Sequence, residues 1–208
     1  IVIHTGSRWL GSEVASFHEK RAYEQNNKKI NSTKAHLTGS FLEDYLYDLK
    51  IAQNFASENR KNIMERMLKF LKIESDYISS FQSEHNYVDI ENKTLHKGSC
   101  SAKKGEPVII PINMKDGSII GNGLGNESWN SSAPHGAGRL LTRSEAKSLL
   151  SLDEFEEQMK DVWSSSVNRS MISESPNAYK SLKEIKETIL DSVEITDLIK
   201  PIYNFKNN

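Results

Sequence analysis

Cysteine is almost absent from this sequence: Cys100 is the only one in 208 residues. A single thiol excludes an internal disulfide and any zinc site built from several cysteines of the chain. It points to a reducing compartment, read here as cytoplasmic. An excess of basic charge is lacking too. Lys and Arg number 27 against 28 Asp and Glu, a formal net charge of -1. No global field therefore gathers nucleic acid, and any phosphate binding must come from a local cluster. No apolar run approaches the ~18 residues of a membrane span, and no signal-peptide pattern is visible. A P-loop, a G-x-G-x-x-G fingerprint and a G-x-S-x-G elbow are all missing, so neither standard nucleotide cradle is used.

What is present is enough for a folded core: 37% hydrophobic and 26% charged residues, too mixed for wholesale disorder. The stretch "IVIHTGSR" opens on Ile1 and runs from an apolar segment straight into a polar turn. Ile1–Ile3 read as the end of a buried strand, and the chain reads as a fragment. Ser12 to about Gln25 is helical in pattern, and Asn26–Ser40 is polar and loop-like. The clearest periodicity follows. Leu42, Tyr45, Leu46, Leu49, Ala52, Phe55 and Ala56 recur at helical spacing, and Ile63, Met64, Met67, Leu68 and Leu71 continue it, as one long amphipathic helix or two in succession. Beyond Ser75, "YVDI", "KTLHKG", "EPVIIP" and "GSIIGNG" are short apolar runs between turn residues, a set of strands. Ser151 with Glu154 predicts a capped helix through Trp163, and Ser175-Pro176 a helical start through Lys180. The class is α+β, with strands concentrated in the middle. No repeat or composition shift marks an internal boundary, so residues 1–208 are taken as one portion of a domain.

Six histidines carry most of the chemical potential. His18 lies in a predicted helix and His36 in a polar loop, both ordinary settings. His4, His85, His96 and His135 fall at strand ends or glycine-rich turns, where a sheet positions binding groups. In "HTGSR", Arg8 offers a planar fork for an anion. In "HKGS", Lys97 and Gly98 look like anion-binding equipment. In "PHGAGRLLTR", Gly136, Ala137 and Gly138 can present several N–H groups to a phosphate. Arg139 and Arg143, four apart, would share a face on a helical turn. Phosphate, arginine and histidine in one loop suggest phosphoryl or nucleotidyl transfer. A tight turn with no ligand accounts for the bare pentapeptide equally well.

Taken in order, several segments resemble one family, the RtcB-type RNA ligases. "HTGSRWLG", "YLYDLKIAQNFASENR", "EHN" with "HKGS", "VIIPINMKDGS", "HGAGRLLTRSEA", "ESPNAYK" and "IKPIYNFK" are similar to its successive boxes across nearly the whole chain. "PINMK" departs from the family's glycine-containing loop, and Trp9 stands where the family has glycine, as in a divergent branch. The resemblance implies an RtcB-like mixed sheet core with long packed helices, here without its N-terminal half.

It further implies a GTP-dependent ligase joining RNA 3′-phosphate or 2′,3′-cyclic phosphate ends to 5′-hydroxyl ends, in tRNA splicing or RNA repair. His135 would be the nucleophile, holding GMP through a phosphoramidate. His4 and His85 would be ligands of a two-metal Mn²⁺ site whose remaining ligands lie upstream, leaving this fragment alone inactive. Asn86, Pro111, Ile112, Asn113, Met114, Ser118, Gly136, Ala137, Gly138, Tyr179 and Lys206 fall at nucleotide-contacting positions. Arg8, Lys97, Arg139 and Arg143 would grip RNA phosphates. Partners implied are RNA ends, an archease-type activator and the N-terminal half of the same protein, with no membrane. The alternative is a paralogue that binds RNA ends or nucleotide without catalysis.

Overall fold

A computed structural model describes residues 1–26, 34–74 and 79–206. Part of the expected Asn26–Ser40 loop, residues 27–33, lies outside them. The chain divides into two compact units, Ile1–Ser80 and Phe81–Asn208, although no shift in composition accompanies the division. Both helix and sheet are present, as the α+β reading requires. Among the described residues no helix is long and apolar enough to cross a membrane.

The first unit is a helix pair, α1 (Arg8–Gln25) and α2 (Ser40–Leu71). Helix α1 begins a turn before Ser12, where the Gly11 N–H bonds the Ser7 carbonyl at 3.5 Å. The long periodic stretch forms one continuous helix. It ends where Lys72 turns left-handed (φ 56°) and its N–H caps Leu68 and Lys69. The residues buried on the two helices are His18 and Ala22 on α1 and Ala52, Ala56 and Leu68 on α2. Spacings of four put 18 and 22, and 52 and 56, on single faces, and the alanines let the backbones approach. Polar pairs join the helices: His18 Nε2 meets Asp48 Oδ2 at 2.9 Å and Arg21 Nη2 donates to Asp44 Oδ2 at 3.1 Å. The Arg21 guanidinium also lies over the Phe41 ring, 4.2 Å from its centroid. Ile1–Ile3, expected as a strand end, form no strand, and Ile1 and Val2 are exposed. No strand among the described residues pairs with them.

The second unit is organised by β-branched runs. Strands β1 (Val88–Asp89) and β2 (Thr94–Leu95) pair antiparallel, as do β3 (Ser99–Ser101) and β6 (Ser132–Pro134). The central sheet has the order β4 (Pro107–Asn113), β5 (Gly117–Gly123), β8 (Val193–Ile199), all antiparallel. Burial alternates along β4, with Val108, Ile110 and Ile112 inward, the period of two that a sheet with one covered face demands. Helix α5 (Leu182–Thr188) adds Ile185 to this core, and Ile189, just past its end, joins it with Ile119 and Val193. The β4–β5 turn is tied by Asn113, whose Oδ1 accepts from the N–H groups of Lys115 (2.9 Å) and Asp116 (2.8 Å). Gly117 then adopts φ 85° so close to β8 that a Cβ would stand 1.9 Å from the Ile199 carbonyl; only glycine fits there.

A second apolar cluster gathers Met114, Phe155, Met159, Val162 and Met171 around helix α4 (Leu152–Met159). Ser151 caps α4 as predicted, its Oγ accepting from the Glu154 N–H at 3.2 Å. The helix stops at Met159, because Trp163 leaves to pair with Tyr203 in the parallel ribbon β7 (Trp163–Ser164) and β9 (Tyr203–Asn204). The complete capping box lies one helix earlier, at Thr142 and Glu145 on α3 (Arg143–Leu149). The predicted start at Ser175-Pro176 is a 3₁₀ turn, Pro176–Ala178, following another over Arg169–Glu174.

Candidate functional site

Two neighbouring clusters hold most of the predicted residues of the second unit. The first is built on β3. His85 faces Cys100 across an antiparallel bridge, and Ser99 pairs with Pro134 at the end of β6. One short strand thus carries the His85 segment on one edge and the residue before His135 on the other. The two imidazoles consequently lie with ring centroids 5.0 Å apart, tilted by 42°. The His135 N–H donates to the Gly98 carbonyl at 3.3 Å. Asn86, left-handed at φ 52°, closes the opposite side of that turn, its Oδ1 accepting from the Gly98 N–H at 2.6 Å. Asn is among the few residues that tolerate this conformation.

The loop after His135 is fixed to the central sheet. The Ala137 N–H donates to the Pro111 carbonyl at 3.0 Å, and a Cβ on Gly136 would stand 3.2 Å from the same oxygen. Gly138 is left-handed (φ 74°), and its carbonyl accepts from the Lys180 N–H at 3.2 Å. Burial, and then the Lys97 ammonium, hold the His135 imidazole below its ordinary pKa. Both effects favour the neutral imidazole, the form that can attack an electrophile.

Of the remaining predicted positions in this region, Ile112 is buried in the sheet core and Met114 in the second apolar cluster. The Asn113 amide builds the turn and donates to Asp116 Oδ2 at 2.8 Å. Ser118 is buried, opposite Pro111 in the ladder. His96 is a core histidine: it is buried, stacked on Tyr87 with centroids 4.8 Å apart, its Nδ1 3.4 Å from the hydroxyls of Ser99 and Ser132. Cys100 is buried and its thiol pushed up in pKa by that burial, which leaves it inert.

The second cluster centres on a residue that the sequence reading did not single out, Glu174. Its carboxylate accepts from Lys206 Nζ (2.7 Å) and the Tyr179 hydroxyl (2.8 Å), and lies 3.5 Å from Arg139 Nη1 and 4.0 Å from Arg143 Nε. Burial pushes this carboxyl up. The Lys206 hydrogen bond and charge, the Tyr179 hydroxyl and the Arg139 guanidinium outweigh it and hold the group below the usual glutamate range. Burial, and then the same carboxylate, push Tyr179 up to about 12. Arg139 is fixed several times over, donating to the Leu141 carbonyl at 3.0 Å, to the Ser173 carbonyl and to the Tyr179 hydroxyl at 2.9 Å, with its guanidinium 4.8 Å from the Tyr179 ring centroid. Arg139 and Arg143 share no helical face: Arg139 bridges to Tyr179, and α3 begins only at Arg143. What unites them is Glu174. Its partners lie 35 and 32 residues away at Arg139 and Lys206, so no local spacing could reveal it.

His4 and Arg8 belong to the first unit. Beside them, the Thr5 carbonyl accepts from Arg60 Nη1 at 3.3 Å. Arg8 holds a left-handed φ of 54°, uncommon for a residue with a long side chain. Among the described residues no group of three or more His, Cys, Asp or Glu side chains could hold a metal ion. The donors among the described residues therefore do not enclose an ion by themselves.

Comparison with known proteins bears on this arrangement. The family model described as the tRNA-splicing ligase RtcB matches residues 1–207. The chain is 29% identical to the RNA-splicing ligase RtcB of Escherichia coli strain K12, over 97% of this chain and 54% of that protein. To the tRNA-splicing ligase RtcB of Nanoarchaeum equitans it is 30% identical, over 89% of this chain and 47% of that protein. The chain spans about half the length of the curated relatives it matches.

Proposed function

The chain belongs to the RtcB family, and from that premise we propose that it carries the nucleotidyl-transfer half of an RNA ligase, with His135 as nucleophile. The observation that carries this reading is the setting of His135: an imidazole with its ring centroid 5.0 Å from that of His85, at the mouth of a loop whose backbone is tied to Pro111.

In the proposed reaction His135 attacks the α-phosphorus of GTP, an N–P bond forms and pyrophosphate leaves with the bonding pair. An oxygen of an RNA 3′-phosphate then attacks that phosphorus and frees the imidazole. A 5′-hydroxyl finally attacks the activated 3′-phosphate, losing its proton, and GMP departs. A 2′,3′-cyclic phosphate is first opened by water to the 3′-phosphate. The residues of this chain supply orientation and charge. The loop at Gly136–Gly138 lets backbone approach a phosphate, and Asn86 holds the Gly98 turn that supports His135. Arg139 and Arg143 attract the phosphates of the RNA end, and Lys206 and Tyr179 face the nucleotide.

His4 and His85 are each proposed as an imidazole donor to Mn²⁺, with further donors from family length that this chain does not span. The ion, when bound, would neutralise phosphate charge. An activator of the archease type and a role in tRNA splicing or RNA repair belong to the same proposal.

The test uses the protein at its full natural length, with Mn²⁺ and α-labelled GTP. Wild type should acquire an acid-labile, alkali-stable label, and His135→Ala none. A folded, metal-loaded wild type that stays unlabelled would favour the alternative, a protein that binds RNA ends without sealing them.

A further inference from the structure

The proposed chemistry leaves Glu174 without a task. Its side chain is 13% exposed, and the three cations around it are all groups assigned above to nucleotide or RNA phosphates. A carboxylate in that place opposes an incoming anion twice: it lowers the local positive charge, and it occupies the donors that a ligand would use.

The three cations are not held alike. Arg139 has carbonyl, hydroxyl and ring contacts besides Glu174. Arg143 is 78% exposed and touches the carboxylate only at 4.0 Å. Lys206 differs from both. Its backbone is clamped by the Ser166 hydroxyl, which accepts from the Lys206 N–H at 2.9 Å and donates to the Lys206 carbonyl at 3.1 Å. Its ammonium reaches out to Glu174 at 2.7 Å, with the side chain 39% exposed. A fixed backbone with a long, half-exposed side chain can exchange one acceptor for another without moving the fold.

We propose that Glu174 is a positioning residue that parks the Lys206 ammonium beside Arg139 and Arg143, and that nucleotide binding transfers the ammonium from this carboxylate to the ligand. The inference rests on the reading of Lys206 as a nucleotide contact. Parked and engaged lysine are then two states of one equilibrium, and the parked state taxes apparent affinity by the fraction of molecules it holds. A partly exposed ion pair of this kind is a weak competitor, so the tax is small.

Glu174→Gln keeps the size of the side chain and an oxygen for the Tyr179 hydroxyl but removes the charge. In the full-length protein it should bind GTP about two- to five-fold more tightly, as an ion pair of this exposure allows. KM for GTP should fall by a similar factor, and kcat for sealing should stay unchanged. Glu174→Asp, which keeps the charge, should bind GTP more weakly than Glu174→Gln and close to wild type. Added salt should narrow the gap between wild type and Glu174→Gln, since screening weakens the competing pair. A folded Glu174→Gln protein that binds GTP no better than wild type would overturn the proposal and make Glu174 part of the binding wall. Wild type binding no GTP at all would overturn the underlying nucleotide reading instead, and the exchange with it.

Discussion

The two units of this chain hold their side chains in place by different means. In Ile1–Ser80 the buried face is narrow and made largely of alanine, with polar pairs between α1 and α2. Tyr47, Ile51 and Phe55, four apart along α2, are all exposed. In Phe81–Asn208 the sheet core is built from β-branched residues with no exposure at all at Val108, Ile110 and Ile119. The difference is instructive about the site. His85 and His135 are set by backbone ladders on both edges of one strand, geometry that a helix pair cannot provide. The charged cluster at Glu174 is set by side chains reaching from distant parts of the chain. Strand edges thus fix the two histidines proposed to react, and longer, softer contacts gather the cations proposed to bind phosphate.

The comparison predicts unequal responses to truncation. Ile110→Ala removes a fully buried side chain from the central strand pair and should cost about 2–5 kcal/mol, read as a lower denaturation midpoint. A loss under 1 kcal/mol would mean that the sheet core collapses freely around the gap, and the contrast with the helix pair would fail.

Acid should probe the charged cluster. A carboxylate whose folded pKa is depressed stabilises the fold above its unfolded pKa, and that contribution is lost as pH falls through the folded value. Glu174, held below the usual glutamate range, should therefore add a component to acid destabilisation that Glu174→Gln lacks. Thermal midpoints measured against pH for the two proteins should converge at low pH and separate towards neutrality. Parallel curves would show that the carboxylate is not held by its cationic neighbours.

The smallest effect is expected on the helix pair. Phe55→Ala, at a position 47% exposed, should change stability by no more than about 0.5 kcal/mol. A large loss there would reveal that the outer stripe of α2 is covered in the protein, and would erase the contrast.

Much of this was legible in the sequence where a pattern is local. The periodicity of "FLEDYLYDLK" onward marks α2, "PVIIP" and "GSIIGNG" mark β4 and β5, and Ser151 marks the start of α4. Elements of two or three residues, such as β3, β6, β7 and β9, are too short to show alternation, and they exist because partners elsewhere pair with them. β8 escaped because Glu194 and Asp197 interrupt its apolar character on the open side. The site was legible in kind through its histidines and arginines, since their boxes are contiguous. The role of Ile112 and Met114 as core side chains was not, because a loop sequence does not say which face turns inward. Glu174 was invisible for the reason given by its distant partners: what matters about it is convergence in space.

The clamp of Ser166 on Lys206 has a consequence in time. Chains are made from the N-terminus, so the histidines and both arginines of the Glu174 cluster emerge well before the lysine that completes it. Trp163–Ser164 must wait for Tyr203–Asn204 to form their ribbon, Met114 for the Asn204 amide, and Ser166 for Lys206. Each of these contacts draws the same 203–206 stretch onto segments made earlier. Birth order thus brings Lys206 to Glu174 after Arg139 and Arg143, so until the 203–206 stretch has been made the two arginines meet that carboxylate without it.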